Sequence, residues 1–168
     1  MAGITIRPII EADKPQWEKL YHGYADHYQV TLTETGLNCT WGWLMDRGHP
    51  LQGLVAEGEG GRLVALAHFR AMPSPLRGMD IGFLDDLFVD PSARGQRVGG
   101  QMLKQLQGIA GRNGWPVMRW ITRDDNYRAR TLYDRHAVKA DWNIYEMAPD
   151  FEMAPDFEMT PDFENTKD

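Results

Sequence analysis

The sequence has little that would place the chain in a membrane or in an oxidising compartment. Among its 168 residues there is one cysteine, Cys39, so no disulfide can form within the chain and a reducing, cytoplasmic setting is expected. No run of 18 or more apolar residues occurs, so no membrane-spanning helix and no membrane partner are predicted. Residues 1–10 lack the charged and apolar regions of a secretory signal peptide.

Basic charge is also scarce. The chain has a net charge of −6, and residues 146–168 hold eight acidic residues and one lysine, which leaves about +1 for the rest. A nucleic-acid-binding surface needs a clear basic excess, so no nucleic-acid partner is expected. The histidines are scattered, and the five-residue step between His22 and His27 suits no common pair of metal ligands. We therefore expect no metal cofactor.

The acidic end of the chain is a repeat. The hexapeptide Glu-Met-Ala-Pro-Asp-Phe begins at Glu146 and occurs three times, with Thr160 replacing alanine in the last copy. A proline at every sixth residue prevents a regular helix or a central strand. The sequence therefore predicts one domain over residues 1–147 and an acidic tail over residues 148–168. The tail is either an extended appendage or an arm whose Phe and Met side chains dock on a neighbouring subunit.

Hydrophobic periodicity predicts the element order β-α-α-β-β-β-α-β-α-β. The predicted strands cover residues 4–7, 51–57, 62–72, 79–89, 117–122 and 141–147. The predicted helices cover residues 11–28, 37–46, 98–112 and 126–136. A front half rich in hairpins, followed by a βαβ unit, indicates an α/β fold with a mixed sheet and about four flanking helices.

The strongest functional pattern joins a strand, a loop and the start of a helix between Phe83 and Gly100. A loop of small residues that opens a helix offers backbone N–H groups and the positive end of the helix dipole, and both favour a phosphate or pyrophosphate. The glycines at 95, 99 and 100 fit neither a Walker A loop nor the Gly-x-Gly-x-x-Gly dinucleotide motif. A tight contact between helix and sheet is the alternative explanation of these glycines.

Two stretches of this region resemble signatures of a known family. The run from Asp85 to Gly99 resembles the acetyl-CoA motif of the GCN5-related N-acetyltransferases (GNAT), Arg/Gln-x-x-Gly-x-Gly/Ala. Arg94 and Gly99 occupy its first and last places, whereas Arg97 replaces the middle glycine. The run Asn126–Tyr133 resembles the second signature, Asn-x-x-Ala-x-x-Leu/Phe-Tyr. The resemblance covers residues 3–147 and looks closest to the Hpa2-like and diamine acetyltransferase branch.

This resemblance implies a GNAT fold, in which a central, mostly antiparallel sheet opens in a V-shaped splay. It also implies an acetyl-CoA-dependent N-acetyltransferase that moves the acetyl group directly onto a primary amine. The expected acceptor is a small cationic amine of the polyamine, amino-sugar or amino-acid type. A protein lysine or N-terminal acetyltransferase, and a non-catalytic acyl-CoA-binding module, are the alternatives. Relatives pair through sheet edges, so a homodimer or a higher homo-oligomer with an exchanged C-terminal strand is expected.

The resemblance also assigns roles to single residues. Tyr133 would be the general acid that protonates the departing thiolate, and Asp85 would be the base that takes a proton from the amine, with Asp86 as its alternate. Backbone groups of Leu87 and Val89 would receive the pantetheine arm and the acetyl carbonyl. The predicted cofactor-binding residues are Leu87, Phe88, Val89, Arg94, Gly95, Gln96, Arg97, Val98, Gly99, Gly100, Asn126 and Ala129. The predicted acceptor-binding residues are Asp85, Asp86 and Glu34.

The two neighbouring acids pose a geometric problem. Adjacent residues of a regular strand point to opposite faces of the sheet, so Asp85 and Asp86 cannot both face one cleft equally. A β-bulge in this strand would relax that restriction.

Overall fold

The computed structural model describes residues 3–148 of the chain. Within them, five strands and four helices follow the predicted order as far as residue 133. Their bounds are Thr5–Pro8 (β1), Lys14–Tyr28 (α1), Glu34–Met45 (α2), Gln52–Glu57 (β2), Leu63–Ser74 (β3), Met79–Val89 (β4), Val98–Arg112 (α3), Met118–Arg119 (β5) and Tyr127–Tyr133 (α4). The repeats from residue 149 onward lie outside the described residues, so the predicted tail stays a prediction.

The strands form one sheet in the order β1-β2-β3-β4-β5. The first four pair antiparallel, and β4 pairs with β5 in parallel. This mixed, mostly antiparallel sheet with helices on its faces confirms the predicted fold class. The parallel pairing joins only Gly82 to Met118 and Phe83 to Arg119. After Arg119 the chain turns away from β4, whereas β4 continues to Val89. The second half of β4 therefore borders a gap where β5 would otherwise lie.

A β-bulge interrupts β4 beside this gap. His68 of β3 lies opposite Asp86, but the next residue, Phe69, lies opposite Leu84. Asp85 is therefore the extra residue of the bulge, and the strict alternation of side chains is broken at the two neighbouring acids.

Helices cover both faces of the sheet. On one face α1 and α2 form a core whose buried members are Trp17, Leu20, Leu37, Trp41, Val55, Leu63, Leu66 and Phe88. On the other face α3 buries Met102 and Leu106 against Phe69 and Leu84. Each such side chain contributes roughly 1.5–3 kcal/mol by leaving water, so the two cores fix the positions of α1 and α3 beside the gap.

The C-terminal part of the prediction requires correction. Residues 141–148 are described and form neither helix nor strand, so the predicted strand over residues 141–147 is wrong for this chain by itself. Its apolar side chains lie in solvent, with Trp142 75 % and Tyr145 89 % exposed. A strand requires a hydrogen-bonding neighbour, and periodicity along the sequence does not reveal whether one is present. The strand predicted over residues 117–122 shrinks to Met118–Arg119 for the same reason.

The helix boundaries differ by a few residues. α2 begins at Glu34, earlier than predicted, because the Thr33 hydroxyl accepts a hydrogen bond from the Gly36 N–H at 3.0 Å and caps the helix. α4 ends at Tyr133 rather than at residue 136, and the chain continues in turns.

Candidate active site

A groove of about 930 Å³ lies beside the second half of β4. Its walls are β4, the loop that follows it, the first turn of α3, and α4. It brings together every predicted cofactor-binding residue except Gln96, and Tyr133 as well. The Gln96 side chain instead donates a hydrogen bond to the Ser92 carbonyl oxygen at 3.4 Å. We call it the cationic groove, because arginine and lysine side chains line it.

The backbone of β4 presents polar groups to the groove. The Asp90 N–H donates to the Val64 carbonyl of β3 at 2.9 Å. Because backbone groups alternate sides along a strand, those of Val89 and Leu87 point away from β3, into the gap. The Val89 carbonyl there accepts a hydrogen bond from Arg94 Nε at 3.2 Å. The Phe88 side chain packs into the core beneath α1 and is 7 % exposed.

The loop before α3 keeps a glycine-like backbone although Arg97 occupies the glycine position of the motif. Arg97 precedes α3 and adopts φ +63° and ψ 15°, in the left-handed region that glycine enters easily. A non-glycine residue there costs about 1–2 kcal/mol. The first intrahelical bond runs from the Gln101 N–H to the Arg97 carbonyl, so the N–H groups of residues 98–100 have no helical acceptor.

The charges that line the groove have one sign. The cationic side chains are those of Arg94, Arg97, Lys104, Arg128 and Arg135. Among the residues that the structure describes, no Asp or Glu lines the groove. Such a surface, with helix N–H groups at one end, attracts a polyanion such as a linked pair of phosphates.

The start of α4 closes the groove opposite β4. The Asn126 side chain caps this helix, because its Oδ1 accepts from the Ala129 N–H at 3.3 Å. A Cβ on Gly99 would lie 2.8 Å from Leu132 Cδ2, so this glycine permits close packing of α3 against α4. Close packing of α3 against α4 therefore explains the glycine at position 99. This explanation is compatible with a role of the loop in binding an anion.

Tyr133 ends α4 at the point where the gap between β4 and β5 opens. Its ring packs edge-on against Trp120, with 5.3 Å between the ring centroids. Burial, together with the nearby Tyr28, raises the pKa of the Tyr133 phenol to about 12. The hydroxyl therefore keeps its proton at neutral pH and can donate it.

A second pocket of about 700 Å³ adjoins the groove, and the two share Tyr24 and Tyr28. We call it the tyrosine pocket, because Tyr21, Tyr24 and Tyr28 of α1 form one wall. Its lining residues are Tyr21, Tyr24, Ala25, Tyr28, Val30, Leu32, Asp85, Ile121, Thr122, Arg123, Ile144 and Glu146. The Arg123 guanidinium lies 5.6 Å from the centroid of the Tyr28 ring.

Asp85 reaches the tyrosine pocket from the bulge. Arg70 Nε lies 3.2 Å from each of its carboxylate oxygens. Burial raises the pKa of Asp85 above its usual value, although the Arg70 charge acts in the opposite direction. A carboxylate with a raised pKa is a stronger base than an exposed aspartate.

Asp86 has a different partner. Its Oδ2 lies 2.7 Å from His68 Nδ1, and its side chain is 18 % exposed. Burial raises the pKa of Tyr21 and Tyr24 well above the usual tyrosine value, and the Asp86 charge raises it further. Asp86 therefore lies close behind the tyrosine wall of the pocket.

Two predicted acceptor-binding residues, Asp86 and Glu34, do not line the tyrosine pocket, and several residues that do line it were not predicted. Glu34 is the exposed first residue of α2 and is not among the residues that line the tyrosine pocket. The sequence predicts the helix over residues 11–28 but assigns no role in the site to its tyrosines, to His68 or to Arg123. The sequence signal that could have identified the tyrosines is their phenolic hydroxyl, which requires a polar partner when the ring is buried.

Comparison with known proteins agrees with this geometry. The family model described as Acetyltransferase (GNAT) family matches residues 17–137. The chain is 33% identical over 138 residues to an uncharacterised N-acetyltransferase, YhfO, from Bacillus subtilis (82% of this chain, 91% of that protein). It is 26% identical over 144 residues to the D-amino-acid N-acetyltransferase HPA3 of Saccharomyces cerevisiae (85% of this chain, 89% of that protein).

Solved structures share the fold. A ribosomal-protein-alanine N-acetyltransferase from Brucella melitensis biovar Abortus superposes with a TM-score of 0.73 at 23% identity, covering 87% of this chain and 99% of that one. The aminoglycoside N-acetyltransferase AAC(6')-Iy in complex with CoA gives 0.74 at 16% identity, covering 90% and 97%.

The chain belongs to the GNAT family of acetyltransferases. The predicted enzyme class, an N-acetyltransferase, is thereby confirmed. The family uses acetyl-CoA, and a CoA complex is among the similar structures. In residues 3–148 no helix has the length and apolar character needed to cross a membrane.

Proposed function

We propose that the cationic groove binds acetyl-CoA and that the tyrosine pocket binds a small amine, which receives the acetyl group. The observation that carries the proposal is that the two cavities share Tyr24 and Tyr28 as lining residues. A donor in one cavity and an acceptor in the other therefore meet without a covalent enzyme intermediate.

The residues of the groove suit the chemistry of CoA. The cations and the N–H groups of residues 98–100 match its phosphates, and Arg94 and Arg97 stand beside them. The outward-facing backbone groups of Leu87 and Val89 match the amides of the pantetheine arm, and Asn126 offers a side-chain amide on the opposite wall. Acetyl-CoA supplies the acetyl group as a thioester.

Three parts of the chain serve the transfer. Asp85 takes a proton from the acceptor ammonium, directly or through water, because only the neutral amine is nucleophilic. A β4 backbone N–H facing the gap stabilises negative charge on the carbonyl oxygen. Tyr133 donates its hydroxyl proton to the departing thiolate and regains a proton from the nitrogen, which loses its second proton as the amide forms. Most of the rate gain comes from holding the two reactants in line.

Within the predicted acceptor class, the pocket favours an amino-acid type of amine. Asp85 attracts the ammonium group, and Arg123 and Glu146 add one further charge of each sign to the lining. The aliphatic wall of Ala25, Val30 and Leu32 suits an apolar side chain. The name of the yeast relative, a D-amino-acid N-acetyltransferase, supports this choice and the Hpa2-like branch.

The test is an acceptor screen with acetyl-CoA that follows release of free thiol. It includes D- and L-amino acids, polyamines, aminoglycosides and basic peptides. We expect the amino acids to give the highest kcat/KM. Preference for peptides would support a protein acetyltransferase instead. CoA binding without transfer to any amine would support a non-catalytic module.

We also propose that the chain forms a homodimer in a cytoplasmic setting. The support is the described segment 141–148, whose apolar residues Trp142, Ile144, Tyr145 and Met147 are between 58 % and 94 % exposed, beside the short edge strand β5. Light scattering should give twice the chain mass, and the double change Trp142→Ser, Ile144→Ser should give the single mass. A wild-type monomer at micromolar concentration would overturn the dimer.

A further inference from the structure

A line of three hydrogen-bonded side chains runs behind the tyrosine pocket. Trp17 Nε1 lies 2.9 Å from His68 Nε2, and His68 Nδ1 lies 2.7 Å from Asp86 Oδ2. Trp17 is 0 % exposed and His68 is 1 % exposed, so only the Asp86 end approaches the site. The mechanism proposed above uses neither of the two buried rings.

The tryptophan decides the protonation state of the histidine. An indole N–H can only donate, so His68 Nε2 must accept and carries no proton. The neutral ring then holds its one proton on Nδ1 and donates it to the Asp86 carboxylate. A second proton on His68 would place two N–H groups against each other at 2.9 Å.

The surrounding groups hold the histidine in this orientation. The Trp17 ring stacks on Tyr21 with 5.1 Å between centroids, and the edge of Tyr21 meets His68 at the same centroid distance. The titratable groups around the pair are Tyr21 and Tyr24 from α1, Arg70 from β3, and Asp85 and Asp86 from β4. Of these only Arg70 is cationic, and it lies against Asp85.

We infer that Trp17 and His68 are positioning residues that fix the Asp86 carboxylate and leave its negative charge uncancelled, so that it attracts the acceptor ammonium. This inference rests on the proposed function, because it names what sets the charge of the acceptor pocket. A protonated His68 would form an ion pair with Asp86 and remove that charge. His68 Nε2 faces the buried indole N–H and only Nδ1 faces the site, so His68 acts through Asp86 and is not itself the base.

Two substitutions at His68 separate its two hydrogen bonds. In His68→Asn the side-chain amide nitrogen lies near the position of Nδ1 and can still donate to Asp86. In His68→Gln the amide oxygen lies near Nε2 and can accept from Trp17, but the donor to Asp86 is lost. Both variants remove the imidazole and keep a polar amide, and their melting temperatures, measured beside the kinetics, report the purely structural effect of each.

The kinetic expectation is a split between KM and kcat. Loss of a hydrogen bond to a charged group corresponds to about tenfold. We expect His68→Gln to raise the KM of the acceptor about tenfold, with kcat and the KM of acetyl-CoA within about threefold of wild type. His68→Asn should keep the acceptor KM within about threefold. Equal acceptor KM values in the two variants would overturn the inference.

Nitrogen-15 NMR of His68 provides a readout that needs no activity. At pH 7 the wild type should show a proton on Nδ1 and none on Nε2, as the contacts with Asp86 and Trp17 require. A proton on Nε2, or an imidazolium at pH 7 in wild type, would overturn the inference. If wild type transfers acetyl to no amine, the proposed function fails, while the NMR result still decides the state of His68.

Discussion

Two aspartates that follow one another in the chain occupy different environments, and this difference sets the chemistry of the acceptor side. Asp85 is the extra residue of the bulge, lies beside Arg70 and reaches the tyrosine pocket. Asp86 is held instead by His68, whose Nδ1 lies 2.7 Å from Asp86 Oδ2. In a regular strand the two side chains would point to opposite faces of the sheet. The bulge breaks this alternation, so both carboxylates lie near the acceptor side and can have different roles there.

The pH dependence of the reaction should report Asp85. Burial raises its pKa, and the base form is lost as the pH falls through that raised value. We therefore expect kcat/KM to fall on the acid side at a pH above the usual aspartate range. Asp85→Asn should lower kcat/KM by about 100-fold at pH 7 and remove that acid limb. An unchanged acid limb in the variant, measured by thiol release, would assign the base elsewhere.

Tyr133 should act on the leaving group, in the step that follows attack by the amine. Tyr133→Phe removes the proton that the leaving thiolate receives, and we expect kcat to fall about 100-fold. Because the pKa of the phenol is about 12, the wild type should show no loss of activity from its ionisation below about pH 11. Calorimetry provides the control, since the affinity for acetyl-CoA should stay within about threefold. A variant with wild-type kcat would remove Tyr133 from the mechanism.

The sequence predicts the residues of the cofactor-binding side better than those of the acceptor-binding side. The cofactor side lies in two contiguous runs, Asp85–Gly99 and Asn126–Tyr133, and a contiguous motif is visible in a sequence. The acceptor side is assembled from α1, the bulge and residues 121–123, which are distant in the sequence. Only the packing of α1 on the sheet brings those residues together, so their shared role could not be predicted.

Among the elements, the loop before α3 shows how a fold tolerates a departure from its motif. Arg97 adopts the left-handed backbone of the glycine that it replaces and adds a cation to the groove. The two effects oppose one another, because the backbone conformation costs stability while the charge favours an anionic ligand.

A pair of variants separates these effects. Arg97→Gly relieves the left-handed conformation, so its melting temperature should be no lower than that of wild type. Its dissociation constant for acetyl-CoA should rise about fivefold, since one exposed charge contact is worth about 1 kcal/mol. Arg97→Lys keeps the charge and should bind within about twofold of wild type. Calorimetry at two salt concentrations checks this, because the difference should shrink at high salt. Unchanged affinity in Arg97→Gly would refute the role.

The elements themselves were predicted where local signals decide them. Amphipathic periodicity located α1 and α3, and turn residues located the β2–β3 hairpin. Two strand predictions were wrong: β5 is shorter than predicted, and residues 141–147 form no strand. Whether such segments form strands depends on a hydrogen-bonding neighbour that is distant in the sequence. Strand propensity describes a surface that can pair, and it does not supply the neighbour.

For the molecule as a whole, one partly buried charge cluster ties β1 to the start of α1 and to β2. Arg7 of β1 lies 2.7 Å from Asp13 at the entrance to α1 and 2.8 Å from Glu57 of β2. Asp13 is 4 % exposed and also accepts the Ile10 N–H at 2.9 Å. Because α1 carries the wall of the tyrosine pocket, this cluster helps to fix the acceptor side of the site.

Acid unfolding should reveal this cluster. The Arg7 guanidinium holds the pKa of Asp13 below its usual value, so its stabilising effect is fully present above the unfolded pKa of about 3.9 and is lost as the pH falls through the lower folded pKa. Asp13→Asn should lower the free energy of unfolding by about 2 kcal/mol at pH 7. Urea titrations should show that difference shrink below pH 4. A difference that does not depend on pH would mean that packing rather than charge is responsible.

The gap beside β4 and the loop before α3 should together hold acetyl-CoA, with its thioester next to the tyrosine pocket. A crystal structure of the acetyl-CoA complex is the decisive experiment. The pyrophosphate should lie at residues 95–100, and the acetyl group should lie between the Leu87–Val89 backbone and Tyr133, opening toward Asp85. Acetyl-CoA bound outside this groove, or absent from it at saturating concentration, would refute the proposed donor site.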